Sequence, residues 1–436
     1  MVTRRRFLAS SLVVPVLAPY AKSNFTRADK VRVAVIGVAN RGAANLAGVA
    51  TEEIVALCDV DPKHAEKARK QFPNAKYFTD YRKMYDAVAK DIDAIVVSTP
   101  DHTHAHAALI GMTMGKHCYC EKPLARTVGE VRKMREAAKK YKLVTQMGTQ
   151  IHAGNNYRRV VEIVQSGMLG EIETVHVWLA GKPQTGKKLA TGPKIDFDLD
   201  QWRGPVNEEF FHADHPGSPH NEHAWPHFQW RYWWEFGGGQ LADFGCHFMD
   251  LPFWALKLGV PELVMTSGMP LPNADNTVPG TMDVITAYPM RDGAPAVTMY
   301  WSHGEKGPTL DGQRTAVPGF PSGVMFVGKK GGIVSDYSKY KIMPDLFAQD
   351  VKLPEPSIAK SVGHHKEWLD AIRGSGPTTC NFDYSGNLAE AVLLGNVAYR
   401  VGEKLKWDAK ALAVTNHKAA NALIDPTPRK GWEYAA

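Results

Sequence analysis

The stretch VRVAVIGVANRG, residues 31–42, decides the fold of this chain. Its first half is an apolar run from Val31 to Ile36, which predicts a buried parallel strand. The run stops at Gly37, and Gly42 opens a segment of small residues that can form a helix. A strand, a tight glycine turn and a helix in this order are typical of a dinucleotide site.

The turn supplies the candidate phosphate contacts. Gly37 lets the chain turn sharply, and the N–H groups of Asn40, Arg41 and Gly42 are predicted to face a pyrophosphate at the start of the helix. The motif departs from its usual form at Ala39, whose methyl group stands where backbone and phosphate approach most closely. Because glycine-rich turns occur in many unrelated loops, this motif needs support from the rest of the chain.

Length and charge narrow the class of protein. The chain has 436 residues, enough for two domains, with hydrophobic and charged shares of 44% and 22% that are ordinary for a globular protein. Residues 1–23 contain four of the 52 Lys and Arg residues and none of the 45 acidic residues. The rest of the chain therefore has 48 basic and 45 acidic side chains. This balance gives no reason to expect a nucleic-acid partner. The five cysteines lack a disulfide-scaffold spacing and are predicted to be buried free thiols.

Residues 1–30 are interpreted as a signal peptide and a linker. The motif TRRRFL at residues 3–8 resembles a twin-arginine export signal, and the apolar run after it is too short and too broken by proline to span a membrane. A basic N-terminus without a targeting role is the alternative. The signal predicts the twin-arginine translocation machinery as a partner, a periplasmic or otherwise exported protein, and no membrane attachment after export.

Strand-like and helix-like segments alternate from residue 31 to about residue 150, which predicts βαβ units and a parallel sheet. The second predicted strand ends in Asp59, 22 positions beyond Gly37, where a Rossmann site needs a carboxylate for ribose hydroxyls. A carboxylate there would repel a 2′-phosphate and therefore favours NAD over NADP. The alternative is that Asp59 caps the next helix, but Asp61 can take that role and leave Asp59 free.

The pattern changes after residue 150. Several strand-like runs predict an α+β domain over residues 151–436 with a large, mainly antiparallel sheet, and amphipathic helices near its end are expected to pack back on the body. Residues 181–229 are rich in Gly, Pro, His and aromatic residues and are too long for a simple connector. The predicted fold class is α/β, with an N-terminal Rossmann domain over residues 31–150 followed by this α+β domain.

Two motifs carry candidate catalytic groups. EKP at residues 121–123 ends the fifth predicted strand, and Lys122 there would point into the crevice where parallel sheets bind ligands. In GGGQLADFGCH, residues 237–247, Asp243 and His247 are four positions apart and share a helical face. A solvated lysine and a structural acid–histidine pair are the alternatives.

The GVANRG turn, Asp59, TPDHTH at residues 99–104, EKP and DFGCH together resemble the glucose–fructose oxidoreductase/inositol dehydrogenase family, Gfo/Idh/MocA. The resemblance covers essentially the whole chain after the signal and implies an NAD(P)-dependent oxidoreductase whose second-domain sheet covers the nicotinamide. It implies catalytic roles for Lys122, Asp243 and His247. The resemblance also places Thr99, Pro100 and His102 beside the cofactor. The full set of predicted cofactor-binding residues is Gly37, Ala39, Asn40, Arg41, Gly42, Asp59, Thr99, Pro100, His102, Glu121 and Lys122.

These roles are chemically consistent with alcohol oxidation. His247 would take the hydroxyl proton, Asp243 would orient the substrate or the imidazole, and Lys122 would polarise the developing alkoxide. Aromatic residues on both sides of Arg231 suit stacking on sugar rings, although a satellite aromatic core is the alternative. The predicted substrate residues are Gln150, Trp230, Arg231 and Tyr232. Histidines between residues 212 and 223 fit no standard metal site, so no metal is predicted.

The export signal limits the reaction. Outside the cytoplasm little NAD is supplied, so the expected enzyme is an oxidoreductase on a sugar hydroxyl that holds its NAD and recycles it internally. One alternative is an NAD-dependent glycoside-cleaving enzyme that works by oxidation, elimination and reduction. Another is a non-catalytic sugar-sensing protein of the same fold. The family resemblance and an exposed sheet face also predict a homo-oligomer.

Overall fold

A computed structural model describes residues 29–181, 188–189, 196–208, 211–212, 227–270, 278–310, 312–344 and 352–435. The predicted export signal lies outside the described residues, as do the side chains of the histidines between residues 212 and 223 and Trp225, one of the aromatic residues that precede Arg231. Among the helices of the described part, none has the length and apolar character of a membrane span. The five cysteines are buried free thiols, as predicted.

The first domain is built on a six-stranded parallel sheet with the strand order β3-β2-β1-β4-β5-β6. Its strands are β1 (Arg32–Ile36), β2 (Glu53–Cys58), β3 (Lys76–Phe78), β4 (Ala94–Val97), β5 (His117–Cys120) and β6 (Thr145–Met147). Its helices are α1 (Arg41–Gly48), α2 (Glu66–Gln71), α3 (Tyr81–Val88), α4 (Asp101–Thr113) and α5 (Val128–Lys140). The chain changes direction across the sheet between β1 and β4, so a crevice opens at the carboxyl ends of these two strands.

The second domain is built on a nine-stranded sheet with the order β17-β16-β15-β7-β12-β11-β10-β18-β19. The pairing of β7 with β12 is parallel, and the other pairings are antiparallel. The strands of this sheet are β7 (Ile172–Leu179), β10 (Leu263–Pro270), β11 (Pro279–Tyr288), β12 (Val297–His303), β15 (Gly323–Gly328), β16 (Gly331–Ser335), β17 (Tyr340–Met343), β18 (Leu405–Asp408) and β19 (Ala413–Val414). Two small ribbons pair β8 (Lys188–Leu189) with β9 (Phe211–His212) and β13 (Thr309–Leu310) with β14 (Gln313–Arg314).

The helices that follow the first domain pack on both sheets. They are α6 (Asn155–Gln165), α7 (Leu199–Arg203), α8 (Gly239–Phe248), α9 (Asp250–Leu256), α10 (His364–Ile372), α11 (Phe382–Val401) and α12 (Asn421–Ile424). Trp368 and Ile372 of α10 share a buried cluster with β1, so this late helix covers one face of the Rossmann sheet. Helix α11 packs against α5, α8 and β10 and thereby joins the two domains.

A buried ion cluster reinforces that junction. Glu390 on α11 is fully buried and accepts hydrogen bonds from Arg132 at 3.0 and 3.1 Å and from Arg135 at 2.9 Å, both on α5. A buried carboxylate needs such partners because its desolvation is costly. The carboxyl edge of the Rossmann sheet is therefore held in a fixed position against the helices of the second domain.

Candidate active site

The turn after β1 has the geometry that glycine requires. Gly37 has φ of +78°, and a Cβ on Gly42 would lie 2.1 Å from the carbonyl oxygen of Gly37. Ala39, Asn40 and Arg41 line a cavity between the two domains, as expected for a phosphate-binding turn. The prediction for the Gly42 N–H was wrong, because this group donates to the Ala39 carbonyl at 2.8 Å and closes the first turn of α1.

Asp59 lines the same cavity at the end of β2, but it is not free. Its carboxylate accepts the N–H of Val38 at 3.0 Å and that of Asp61 at 3.1 Å, so it also fixes the glycine turn. Asp61 does cap the next segment, since it accepts the N–H groups of Lys63 and His64 at 2.9 and 3.3 Å. Burial raises the pKa of Asp59, and the two backbone donors oppose that rise. Each carboxylate oxygen keeps a lone pair for a ribose hydroxyl.

Glu121 is buried next to the glycine turn and is hydrogen-bonded to two side chains of α1. It accepts hydrogen bonds from the Arg41 side chain at 2.8 Å and from Asn45 at 2.9 Å, which ties α1 to the end of β5. Burial alone would raise the pKa of Glu121, but the Arg41 charge and the hydrogen bonds bring it below its usual value. This carboxylate therefore holds the predicted phosphate-binding residues in place.

Lys122 and Asp243 meet across the domain junction. The Lys122 ammonium donates to the Asp243 carboxylate at 2.7 Å and to the Asp243 carbonyl at 2.5 Å, while Arg231 Nε lies 3.5 Å from the same carboxylate. Burial works to raise the pKa of Asp243, but the two cations outweigh it and the pKa falls below its usual value. Asp243 is consequently an ionised carboxylate that orients Lys122.

His247 lies one helical turn beyond Asp243 and lines the same cavity. Burial, followed by the Lys122 charge, lowers its pKa to about 3, so the imidazole is neutral at physiological pH. Its Nδ1 has no hydrogen-bond partner among the described residues. The three predicted catalytic side chains thus converge on one cavity, and one of them is a neutral imidazole that can accept a proton.

The three glycines at residues 237–239, where α8 begins, allow other protein segments to pack closely against them. A Cβ on Gly237 would lie 2.6 Å from the carbonyl oxygen of Arg231, and one on Gly238 would lie 2.5 Å from Asn396. Gly239 has φ of +63°, and a Cβ there would lie 2.6 Å from the Val278 side chain. These glycines let the Arg231 segment approach α8 closely, which brings its guanidinium beside the Asp243 carboxylate.

The TPDHTH segment enters the cavity only in part. Thr99 and Pro100 line it, as predicted, but His102 does not. The His102 ring is buried and donates from Nε2 to the carbonyl of Trp202 at 2.8 Å, because an aromatic cluster of the second domain packs over it. His104 lines the cavity instead, with its ring nitrogens 2.7 Å from the Thr99 carbonyl and 2.9 Å from that of the EKP proline.

Asp101 is a functional candidate that the sequence did not single out. It is the first residue of α4, is 5% exposed and lines the cavity. Burial raises the pKa of Asp101 to about 8. The positive charges of Lys122 and Arg231 lower this pKa, and the negative charge of Asp243 raises it. The signal available in the sequence was its position at the start of the helix that follows β4, but only the fold brings the other three charges to it.

The predicted substrate residues separate into two groups. Gln150, Trp230 and Arg231 line the cavity, and the Arg231 guanidinium lies 4.4 Å from the ring centres of both Phe228 and Trp230. Tyr232 is buried and does not line the cavity. The aromatic segment forms a satellite core, as the alternative predicted, and Trp230 of that core also lines the cavity, while stacking on sugar rings stays a prediction.

Other residues that sequence reasoning missed come from the long segment of the second domain. Phe197, Gln201, Trp202 and His227 line the cavity opposite Asp59. Two groups in the described part of the chain have potential metal-ligand atoms within 4.8 Å of one another, namely Asp61, His64 and His227, and His152, Asp250 and Cys380. In the second group the His152 ring is already hydrogen-bonded to Asp250 at 3.0 Å.

Comparison with known proteins identifies the first domain. Residues 31–149 match the family model GFO_IDH_MocA, described as "Oxidoreductase family, NAD-binding Rossmann fold". This part of the chain is thus an NAD-binding Rossmann domain of the oxidoreductase type that its motifs indicated.

The curated relatives match a limited part of the chain. A "Glycosyl hydrolase family 109 protein" of Shewanella pealeana is 32% identical over 157 residues, 33% of this chain and 34% of that protein. An "Inositol 2-dehydrogenase" of Salmonella typhimurium is 27% identical over 151 residues, 33% of this chain and 44% of that protein. In both cases the match spans less than half of the relative's length.

A solved structure matches most of the chain in fold. It is the WlbA dehydrogenase from Bordetella pertussis in complex with NADH and UDP-GlcNAcA, with a TM-score of 0.59 and 17% identity over 87% of this chain and 99% of that one. At this identity the likeness establishes a shared fold: a Rossmann domain followed by a large, mainly antiparallel sheet domain.

Proposed function

We propose that this protein is an NAD-dependent oxidoreductase that acts on a hydroxyl group of a sugar or sugar derivative and retains its NAD between turnovers. The observation that carries the proposal is the 2.7 Å contact between Lys122 and Asp243. It joins the cofactor-binding edge of the Rossmann sheet to the helix that carries His247. Cofactor and catalytic groups therefore share one cavity.

The residues around this cavity fit NAD. The close approach at Gly37 and Gly42 leaves room for a pyrophosphate over the turn, and the buried Thr99 hydroxyl has no hydrogen-bond partner among the described residues. Asp59 would hold ribose hydroxyls and repel a 2′-phosphate, which favours NAD over NADP. Bound NAD supplies a carbon that accepts a hydride from the substrate or returns it.

The residues of this chain supply the proton chemistry. When a hydroxyl-bearing carbon loses hydride, the hydroxyl proton must also leave, and the neutral imidazole of His247, which lines the cavity, can accept it. The Lys122 ammonium stabilises the negative charge that develops on the oxygen. Asp243 keeps that ammonium in place, and the reverse sequence reduces a carbonyl.

Unsatisfied polar atoms around the cavity support a polyhydroxylated substrate. The Gln150 side-chain oxygen and His247 Nδ1 are buried without partners in the described part of the chain, and both residues line the cavity with Arg231. Buried polar atoms are normally hydrogen-bonded, so a ligand with several hydroxyl groups would satisfy them. The inositol and glycosyl hydrolase names of the curated relatives support the same substrate class.

We also propose that the chain is exported through the twin-arginine machinery and acts in the periplasm or outside the cell. The support is the TRRRFL motif and the apolar run that follows it. Retained NAD suits this location, because a cofactor recycled within each turnover needs no external supply. Assembly into a homo-oligomer through the exposed face of the second sheet remains a prediction.

Glycoside cleavage is the second candidate, because the Shewanella relative carries a glycosyl hydrolase name. Oxidation of a ring hydroxyl would acidify the neighbouring C–H, the aglycone would leave by elimination, water would add, and hydride would return. Nitrophenol release from aryl glycosides without added NAD, with solvent deuterium entering the sugar, would favour this route. Conversion of a free sugar to a lactone or keto-sugar, with the hydride passed on to a second sugar that is reduced, would favour oxidoreduction.

A single-turnover experiment tests the shared chemistry. NAD-loaded protein is mixed with a panel of sugars and glycosides, and the absorbance of reduced nicotinamide is followed with His247→Ala as the comparison. The proposal expects a transient or stable reduced signal in the wild type and a strongly slowed signal in the variant. Loaded wild-type protein that reduces its cofactor with no member of the panel, and binds none of them, would point to the sensing alternative or to another chemistry.

A further inference from the structure

The cavity has a second end beyond the catalytic residues. Asp59 marks this end, because the carboxylate after the second Rossmann strand binds the ribose of adenosine. Residues 196–208 of the second domain, which we name the strap, contribute Phe197, Gln201 and Trp202 to the opposite wall. His227 joins the same wall. The adenosine end is therefore enclosed by both domains.

The strap is fastened to the first domain along its length. Gln201 accepts a hydrogen bond from Arg82 at 3.0 Å, and the Trp202 carbonyl accepts one from the buried His102 ring at 2.8 Å. The Trp202 side chain belongs to the aromatic cluster that packs on Val60, directly after Asp59. These contacts explain why His102 points away from the cavity: it anchors the strap.

A polar latch lies at the outer edge of the strap. His227 Nε2 donates to the Asp61 carboxylate at 2.9 Å, and the two side chains are 21% and 13% exposed. The His227 ring also contacts His64 and Phe197, with ring centres 3.7 and 5.9 Å apart. Burial lowers the pKa of His227 to about 4, so the latch is a hydrogen bond from a neutral ring.

Arg429 holds the strap from outside the cavity. The Arg429 side chain donates from Nε to the Gly204 carbonyl at 3.0 Å and forms an ion pair with Asp200. The backbone N–H of Arg429 donates to the Pro205 carbonyl at 2.9 Å. Arg429 does not line the cavity. Because it touches three residues of the strap and none of the cavity, it offers a way to loosen the strap without altering the nucleotide site.

We propose that the strap and His227 close the adenosine end of the cavity over the bound dinucleotide and slow its release. This rests on the proposed function, because NAD is the ligand retained. A dinucleotide could leave by this end only after the Asp61–His227 and Arg82–Gln201 contacts had separated. The second domain thus controls how long the cofactor stays, in addition to carrying catalytic groups.

The test measures NADH release from intact protein. Wild type, His227→Ala and Arg429→Ala are loaded with NADH, and the loss of bound-NADH fluorescence is followed after a large excess of NAD is added. Lys133→Ala is the matched control, because Lys133 forms an ion pair with Asp425 of the C-terminal segment that carries Arg429 and makes no hydrogen bond or ion pair with a described residue of the strap. We expect release to be faster by about tenfold in each strap variant, the effect of losing roughly one or two net hydrogen bonds, and to be unchanged in the control.

The outcomes separate the strap from the nucleotide site. Equal release rates in wild type, His227→Ala and Arg429→Ala overturn the strap proposal and leave the proposed function intact. A wild type that binds no NADH overturns the proposed function and the strap with it. Faster release from the wild type after EDTA treatment overturns the hydrogen-bonded latch, because a cation held by Asp61, His64 and His227 would then fasten the strap. Thermal unfolding of each variant identifies any general loss of structure.

Discussion

The two ends of the cavity are closed by different kinds of contact. At the catalytic end the ion pair of Lys122 and Asp243 has side chains that are 15% and 14% exposed. At the adenosine end the half-buried contact is a hydrogen bond from neutral His227 to Asp61, and the ion pair beside it, Lys63 with Asp196, is 76% and 53% exposed. Breaking a buried pair costs about 3–5 kcal/mol, whereas solvent screens an exposed pair so that it contributes little. The catalytic end therefore stays assembled, and the adenosine end is the place where the domains can separate to load a cofactor.

The largest effect is expected from His247→Ala. Removing the proton acceptor should lower turnover by about 10²–10⁴-fold, while NAD content stays the same because the catalytic end does not fasten the adenosine. Single-turnover nicotinamide absorbance and the NAD content of the purified variant measure both quantities. Turnover close to that of the wild type would remove this residue from the mechanism.

Lys122→Ala should follow, with a loss in turnover of about 10²–10³-fold, since one stabilising donor at the developing alkoxide is gone. Lys63→Ala is the control at the other end and should leave the free energy of unfolding essentially unchanged, because solvent screens its ion pair. Turnover and urea unfolding are measured on both. If the two variants behaved alike, the contrast between the two ends would be wrong.

The glycine turn offers a matched stability test. Gly37 and Gly115 have φ of +78° and +77°, but a Cβ on Gly37 would lie 2.7 Å from the Ser98 backbone, whereas nothing lies within 4 Å of one on Gly115. Both alanine variants should lose about 1–2 kcal/mol from backbone strain, and Gly37→Ala should lose about 1–3 kcal/mol more from the clash. Chemical unfolding and NAD affinity measure the difference, and equal losses would contradict the close approach.

Asp101 should shape the pH profile. Its carboxyl, with a pKa of about 8, is neutral below that pH and charged above it, beside Lys122 and Asp243. The added negative charge should slow alkoxide formation by a few-fold above about pH 8, and Asp101→Asn should remove this decline. Because His247 is neutral down to a pKa of about 3, no acid limb is expected near pH 6.5. A profile that Asp101→Asn leaves unchanged would exclude Asp101 as its source.

Ala39→Gly should give the smallest effect. Ala39 lines the cavity and differs from the usual glycine by a single methyl group, so restoring glycine is expected to change NADH release by less than about threefold. The release assay that tests the strap also measures this variant. Much slower release would show that the methyl group limits the pyrophosphate contact.

Local patterns predicted the Rossmann domain and picked out three side chains, Lys122, Asp243 and His247, that the fold brings to one cavity. The apolar run before Gly37, the acid after β2 and the four-residue spacing of Asp243 and His247 each depend on neighbours close in the chain. Lys122 and Asp243 lie 121 positions apart in the chain. In the sequence, only the order of motifs resembling that of the family indicated that the two residues belong to one site.

The remaining features depend on contacts between distant segments, which leave no periodic signal in the chain. His102 turns from the cofactor because Trp202, 100 positions away, supplies a carbonyl acceptor. Asp59 is tied to the glycine turn by backbone N–H groups that every residue type carries, so its double role was not visible in the residues themselves. The charge state of Asp101 likewise depends on cations from two other segments.

The central claim is that the two domains hold an NAD molecule that takes part in chemistry on a sugar. Native mass spectrometry of the purified protein, before and after a polyhydroxylated substrate is added, tests it most directly. The account predicts a single NAD(H) per chain after extended dialysis, with a change in its redox state, or in the substrate, during the first turnover. Protein that carries no nicotinamide, and binds none when NAD is supplied, would contradict it.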